Sequence, residues 1–110
     1  MIIKNIGLRL KNPYNGMGSK TSFTIDDVWG PIVLRVGKVY RFIYTGRDGE
    51  CEHPFYFSYS SVGAGAEPIS IRLCPGEYFD VTVDERAMNG RPIYYQCGHH
   101  EYMGERVIVQ

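Results

Sequence analysis

The residues best suited to metal binding or catalysis lie in one short stretch, Cys97–Met103. It contains a thiol, two imidazoles and a thioether within seven residues. Cys97, His100 and Met103 follow a C-x2-H-x2-M spacing. A mononuclear blue-copper site uses a thiolate, two imidazoles and a weak axial thioether as its ligands. The stretch therefore supplies three of the four ligands that such a site needs, and His99 is left over.

The fourth ligand must come from another part of the chain. Outside the stretch the sequence contains a single histidine, His53, which begins a strand-like run with Phe55 and Phe57. The predicted metal ligands are therefore His53, Cys97, His100 and Met103. Both Cu(I) and Cu(II) tolerate this ligand set, so copper is the predicted cofactor. His99 is predicted to be an exposed neighbour, because its use as a ligand would break the spacing.

The segments that must position these residues are strand-like. Short runs rich in β-branched and aromatic residues alternate with turns that contain Gly and Pro, and no helical period persists. This pattern predicts an all-β fold, a Greek-key β-sandwich or barrel of about seven to nine strands. The predicted strands are Ile2–Leu10, Phe23–Ile25, Pro31–Val36, Val39–Tyr44, His53–Tyr59, Ile69–Leu73, Tyr78–Val83, Ile93–Tyr95 and Arg106–Val109.

Polar or glycine-rich connections are predicted at 11–19, 60–67 and 84–91, the last with one helical turn at Asp84–Ala87. The Gly63–Ala66 run has the glycine content of a phosphate-binding loop. No Lys-Ser/Thr pair and no helix pattern follows it, so a flexible connection is predicted there.

The order of these features resembles the cupredoxins, a family of small blue-copper β-sandwich proteins. The resemblance runs from about Ile32 to Gln110 and comprises the Val36–Phe42 strand entry, the His-Pro-Phe segment, the Cys74–Glu77 turn and the Tyr-Tyr-x-Cys…His…Met-Gly close. In that family one histidine enters from a mid-chain strand, and Cys, His and Met come from the loop between the last two strands. The short loop resembles that of amicyanin-like members. The resemblance implies a one-electron carrier that works with a redox partner protein and has no enzymatic turnover of its own.

Two features depart from the family pattern. Pro54 follows His53 where many members carry Asn, and His99 stands beside His100. The resemblance also implies a location outside the cytoplasm. The first residues of this chain lack the apolar region and small-residue cleavage site of a signal peptide. Either the chain is already processed or it is made and used without export, and the absence counts against an ordinary secreted carrier.

Length and charge exclude several classes of protein. The 110 residues suffice for one domain, predicted to span residues 1–110. The 12 Lys and Arg are balanced by 12 Asp and Glu, so the basic surplus of a nucleic-acid-binding protein is missing. No apolar run approaches the roughly 18 residues of a membrane-spanning helix.

The chain contains three cysteines. With Cys97 assigned to the metal, Cys51 and Cys74 remain. The sequence does not give the separation of their Cα atoms, so a disulfide and two separate buried thiols both stay open.

A second hypothesis treats the cupredoxin-like sandwich as a structural or assembly module with a degenerate or incidental metal site. Zero formal net charge, Pro54 and the signal-free start of the chain motivate it. Function depends on the site and not on the fold, so a degenerate site would leave only a packing or adaptor role. Domains that resemble this one occur as appendages on larger proteins, so the resemblance implies a component of a virus particle or another multi-protein assembly. Copper storage or delivery is a third option.

Overall fold

The computed structural model describes residues 1–10, 20–84 and 90–110. Within these ranges the chain forms eight strands and no helix, in agreement with the predicted all-β class and strand number. The strands are β1 (Ile2–Arg9), β2 (Ser22–Ile25), β3 (Ile32–Leu34), β4 (Val39–Tyr44), β5 (Phe55–Ser58), β6 (Tyr78–Thr82), β7 (Ile93–Cys97) and β8 (Glu105–Val109).

The strands form two four-stranded sheets. One has the order β2-β1-β4-β6 and the other the order β3-β8-β7-β5. Each sheet contains one parallel pair, β1 with β4 and β3 with β8, and its other neighbours are antiparallel. The predicted β-sandwich is thereby confirmed.

Aromatic rings fill the space between the sheets. In β4 the side chains alternate, so that Tyr40, Phe42 and Tyr44 are buried while their neighbours are half-buried. Phe55 lies at the centre of the core, with its ring stacked on Phe42 at 6.2 Å and on Tyr95 at 5.8 Å. Ring pairs at such separations add attraction beyond the burial of apolar area. The alternate apolar residues of β4 thus point into one continuous core between the sheets.

The strand predicted at Ile69–Leu73 is wrong, because this segment makes a single isolated bridge to β5, from Leu73 to Phe55. The Phe57 amide donates to the Ser70 side-chain oxygen at 2.8 Å, so a hydroxyl takes a position that a backbone carbonyl would hold in a ladder. Ile71 is 67% exposed, although a strand here would place it on the same face as the buried Leu73. A local side-chain hydrogen bond therefore competes with strand pairing at this point.

The loop predicted at 11–19 lies outside the described residues, as does most of the helical turn predicted at Asp84–Ala87. None of the described segments is a helix of the length and apolar character needed to cross a membrane.

Cys51 and Cys74 form a disulfide, with their Cα atoms 5.4 Å apart, which answers the question that the sequence left open. The bond joins the turn before β5 to the segment that runs beside it. Cys97 is a free cysteine.

Replacing both Cys51 and Cys74 with Ala is expected to lower the free energy of unfolding by about 3 kcal/mol. The reason is that a cross-link between residues 51 and 74 restricts the unfolded chain. Urea titration with and without reductant checks this value, and reductant should change wild type but not the double variant. An unfolding midpoint that is identical in both proteins would contradict the prediction.

Candidate metal centre

His53 is held at one corner of the sandwich, two residues before β5. Its backbone amide donates to Asp48 Oδ2 at 2.7 Å, and its ring Nδ1 lies 3.1 Å from Asp48 Oδ1. The Tyr44 hydroxyl donates to the His53 carbonyl at 2.8 Å. The side chains of His53 and Asp48 are 15% and 7% exposed. Since both the backbone and the ring are held, the His53 imidazole has a defined position.

The carboxylate of Asp48 is stabilised in its charged form. Burial acts to raise the pKa of Asp48, but the hydrogen bonds from His53 outweigh it and leave that pKa below its ordinary value. Burial raises the pKa of the Tyr44 hydroxyl, and the nearby Asp48 charge adds to this rise. Tyr44 therefore stays a neutral hydrogen-bond donor to the His53 carbonyl.

Cys97 ends β7 beside the His53 corner. It is the register partner of Phe55 in the antiparallel β5–β7 pair, and the Gly98 amide donates to the Pro54 carbonyl at 2.8 Å. Its side chain is fully buried. Burial raises the pKa of the Cys97 thiol, whereas hydrogen bonds from the following backbone amides and the positive charge of Arg72 act to lower it. Sheet register thus brings the thiol and the first histidine to the same edge.

His100 faces Cys97 and His53, whereas His99 does not. His100 Nδ1 lies 3.7 Å from Cys97 Sγ, and the His100 and His53 ring centroids are 4.7 Å apart. His99 is exposed and places its Nδ1 3.2 Å from the Glu52 carbonyl oxygen. The backbone amide of His99 does contribute, since it donates to Cys97 Sγ at 3.4 Å.

Met103 is fully buried, and the backbone around it is fixed. The Phe23 amide donates to the Met103 carbonyl at 3.0 Å. The next residue, Gly104, donates its amide to Gln96 Oε1 at 3.1 Å. A methyl group at Gly104 would overlap the Tyr95 carbonyl, so only glycine allows this close approach to β7.

The sequence pattern also predicts that Cys97 sulfur and one nitrogen from each of His53 and His100 lie within about 4 Å of one another, roughly twice a typical metal–ligand bond length. This prediction is wrong for the full set. Among the described residues, Asp48, Glu52 and His53 form the group of three whose possible ligand atoms all lie within 4.8 Å of one another. The group does not include Cys97 or His100. In that group His53 Nδ1 lies 3.1 Å from Asp48 Oδ1. His53, Cys97, His100 and Met103 remain the predicted metal ligands.

No family model matches the chain, and no curated protein sequence matches it. Solved structures do match. Rusticyanin from Thiobacillus ferrooxidans is 12% identical, with a TM-score of 0.62 over 98% of this chain and 76% of that protein. The chain has the cupredoxin fold. A histidine-to-methionine variant of rusticyanin gives a TM-score of 0.59 at 13% identity, over 98% of this chain and 76% of that one.

The multicopper oxidase Fet3p, which functions in iron import, also matches. It is 15% identical with a TM-score of 0.55, over 99% of this chain and 22% of the oxidase. At these identities the similarity is one of fold. The predicted cupredoxin resemblance is confirmed at that level.

The donor set of this cupredoxin fold fits copper. A buried thiol, two imidazoles and a buried thioether are ligand types that copper accepts, and the thiol already lies close to one imidazole. The amide hydrogen bond to the sulfur and the carboxylate at His53 are the outer contacts that commonly orient metal ligands.

Sequence reasoning missed two contributors to this site, Asp48 and Arg72. Asp48 lies in a turn with Gly and Arg neighbours, and nothing in that pattern marks it as the partner of His53. Gly98 marks the place of Arg72, because the absence of a side chain there leaves room for a neighbour; a Cβ at Gly98 would lie 3.0 Å from Arg72 Nε.

The connection at 60–67, predicted to be flexible, is tied to the ligand loop. The Tyr102 amide donates to the Val62 carbonyl at 2.8 Å, and Gln96 Nε2 donates to the Ser60 carbonyl at 3.1 Å. A Cβ at Gly63 would come within 2.9 Å of the Gln96 side chain. The glycines in this connection thus permit close packing over β7.

Proposed function

We propose that this protein binds one copper ion and carries single electrons to or from a redox partner protein, without substrate turnover. The proposed ligands are His53, Cys97, His100 and Met103. The observation that carries the proposal is the 3.7 Å approach of Cys97 Sγ to His100 Nδ1 next to the His53 ring.

The bound copper would supply a one-electron couple between Cu(II) and Cu(I). The protein's own contribution is to hold the donors in place and exclude water. Cys97 and Met103 are fully buried, and Asp48 fixes His53 through two hydrogen bonds. Ligands mounted on strand ends of a packed sandwich need to move little when the charge of the site changes.

Loading the purified protein with Cu(II), followed by desalting and a visible spectrum, tests the proposal. An intense thiolate-to-copper absorption band and about one copper per chain are expected. A colourless protein that releases its copper during desalting would be evidence against a blue-copper site.

His100→Ala is expected to abolish or strongly weaken the band, whereas His99→Ala should leave it in place. The reason is that the His100 ring faces Cys97 Sγ, while His99 is exposed and contributes through its backbone amide, which alanine retains. The visible spectrum and the copper content of both variants check this pair. The opposite result would assign the ligand to His99.

A structural or assembly role is the second candidate, and one observation favours it. His53 Nδ1 already has a partner in Asp48 at 3.1 Å, so this corner is held together by the protein's own hydrogen bonds. Such a module would act as part of a virus particle or another multi-protein assembly. Light scattering of the purified protein distinguishes the candidates: a regular oligomer without redox activity supports assembly, and a monomer with reversible one-electron chemistry opposes it.

A further inference from the structure

Arg72 lies across two glycines beside Cys97. A Cβ at Gly98 would be 3.0 Å from Arg72 Nε and 3.1 Å from its Cδ, and a Cβ at Gly65 would be 2.7 Å from its Nη2. The guanidinium carbon lies 6.0 Å from the Tyr56 ring centroid. Gly65, Gly98 and the Tyr56 ring therefore define the position of this guanidinium. Gly98 is the residue that directly follows Cys97 in the sequence.

Within residues 1–10, 20–84 and 90–110, Arg72 has no salt-bridge partner. The ion pairs found among the described residues join other groups, and none of them includes Arg72. Its side chain lies against Gly98, the residue that follows Cys97, so the field of the guanidinium reaches the site. Arg72 is itself exposed, so solvent and salt weaken this field without removing it.

We propose that Gly65 and Gly98 admit Arg72 as a fixed positive charge beside Cys97, and that this charge makes the site favour Cu(I) over Cu(II). The inference rests on the proposed function. Arg72 acts through the charge of the site and is not a ligand.

The sign follows from counting charges. A thiolate with Cu(II), neutral imidazoles and a thioether carries one net positive charge, whereas the same donors with Cu(I) carry none. The metal-free site with a protonated thiol also carries none. A neighbouring cation therefore repels the Cu(II) form alone, so the addition of one electron to Cu(II) becomes more favourable.

The test replaces Arg72 with Gln and measures the affinities for Cu(II) and Cu(I) separately, by competition with chelators, together with the reduction potential. We expect R72Q to bind Cu(II) about fourfold more tightly, an effect of the order expected for a charge that is partly screened by solvent. Cu(I) affinity should not change. The potential should fall by about 35 mV, since a tenfold change for one electron is about 59 mV.

Two further variants and a high-salt measurement distinguish an effect of the Arg72 charge from an effect of R72Q on the structure. R72K keeps the charge and should restore the wild-type potential. R106Q is the matched control: Arg106 also lies against a tyrosine ring, Tyr94 at 5.8 Å, but belongs to β8, and its loss should leave the potential unchanged. In about 1 M salt, where the Debye length is about 3 Å, the difference between wild type and R72Q should nearly vanish.

Equal changes in Cu(I) and Cu(II) affinity that are insensitive to salt, or no difference between R72Q and R106Q, would overturn the inference. If wild type shows the thiolate-to-copper band and R72Q behaves like wild type, the inference alone fails. If wild type lacks the band, the proposed function fails, and this inference fails with it.

Discussion

The Cys97→Ser variant is expected to lose the intense visible band completely while it keeps its fold. Serine has nearly the size of cysteine, but its hydroxyl does not form the thiolate from which the copper band arises. Cys97 is the free cysteine of the chain and is fully buried, so the change alters one donor atom inside an otherwise intact site. Visible absorption after Cu(II) loading and desalting measures the loss, and far-ultraviolet circular dichroism confirms the fold.

The matched control for this variant replaces Cys51 and Cys74 together with serine. Those sulfurs form the disulfide and are proposed to play no part in metal binding. The control protein should be less stable but should retain the band. A band that persists in Cys97→Ser, or that disappears only in the control, would show that Cys97 is not the sulfur that binds copper.

The Phe55→Ala variant is expected to lose about 4 kcal/mol of folding free energy, a typical cost for emptying a phenylalanine site in a core. Phe55 is fully buried, and its ring lies 5.1 Å from Phe23 and 5.8 Å from Tyr95 by centroid. Surrounding rings cannot collapse into the space without leaving their own contacts. Small domains have only about 5–15 kcal/mol of stability in total, so a large fraction would be lost. Urea unfolding measures the difference.

Ile71→Ala serves as the control, because Ile71 is 67% exposed and should change stability by less than about 0.5 kcal/mol. If Phe55→Ala does not fold well enough to measure, Phe55→Leu should show a smaller loss in the same direction. Equal stabilities for Phe55→Ala and Ile71→Ala would contradict the central position of Phe55 in the core. Since Phe55 is paired with Cys97, we also expect Phe55→Ala to weaken copper binding.

Strands β4 and β7 were predictable because buried side chains recur at every second position, whereas all four residues of β5 are buried. In β4 every second residue, from Tyr40 to Tyr44, is buried, and the same rule places Tyr95 and Cys97 of β7 in the core. In the structure β5 and β7 pair antiparallel, with Phe55 opposite Cys97. The end of the sandwich at which His53 and Cys97 meet is a consequence of that register.

Contacts between turns were not predictable, because they depend on backbone geometry that no local pattern encodes. Cys51 adopts a positive φ of 56°, in the turn that aims Asp48 at His53. The disulfide to Cys74 depends on a Cα separation that exists only in the folded chain. The wrongly predicted strand at Ile69–Leu73 has a similar origin, since the Ser70 hydroxyl takes part in the hydrogen bonding of β5. The roles of the four proposed ligands stay predictions until metal is measured.

The parallel pairs of the two sheets affect how quickly the protein reaches its native state. Ile2 pairs with Tyr40 in one sheet, and Ile32 pairs with Val107 in the other, so each sheet joins segments far apart in the chain. The entropy of closing such loops must be lost before the contacts become favourable. Chains dominated by distant pairings refold in about milliseconds to seconds, well behind helical bundles. The β5–β7 pair, which places Phe55 opposite Cys97, is also distant in the chain, so we expect the Cys97 thiol to stay reactive during refolding until these two strands have paired.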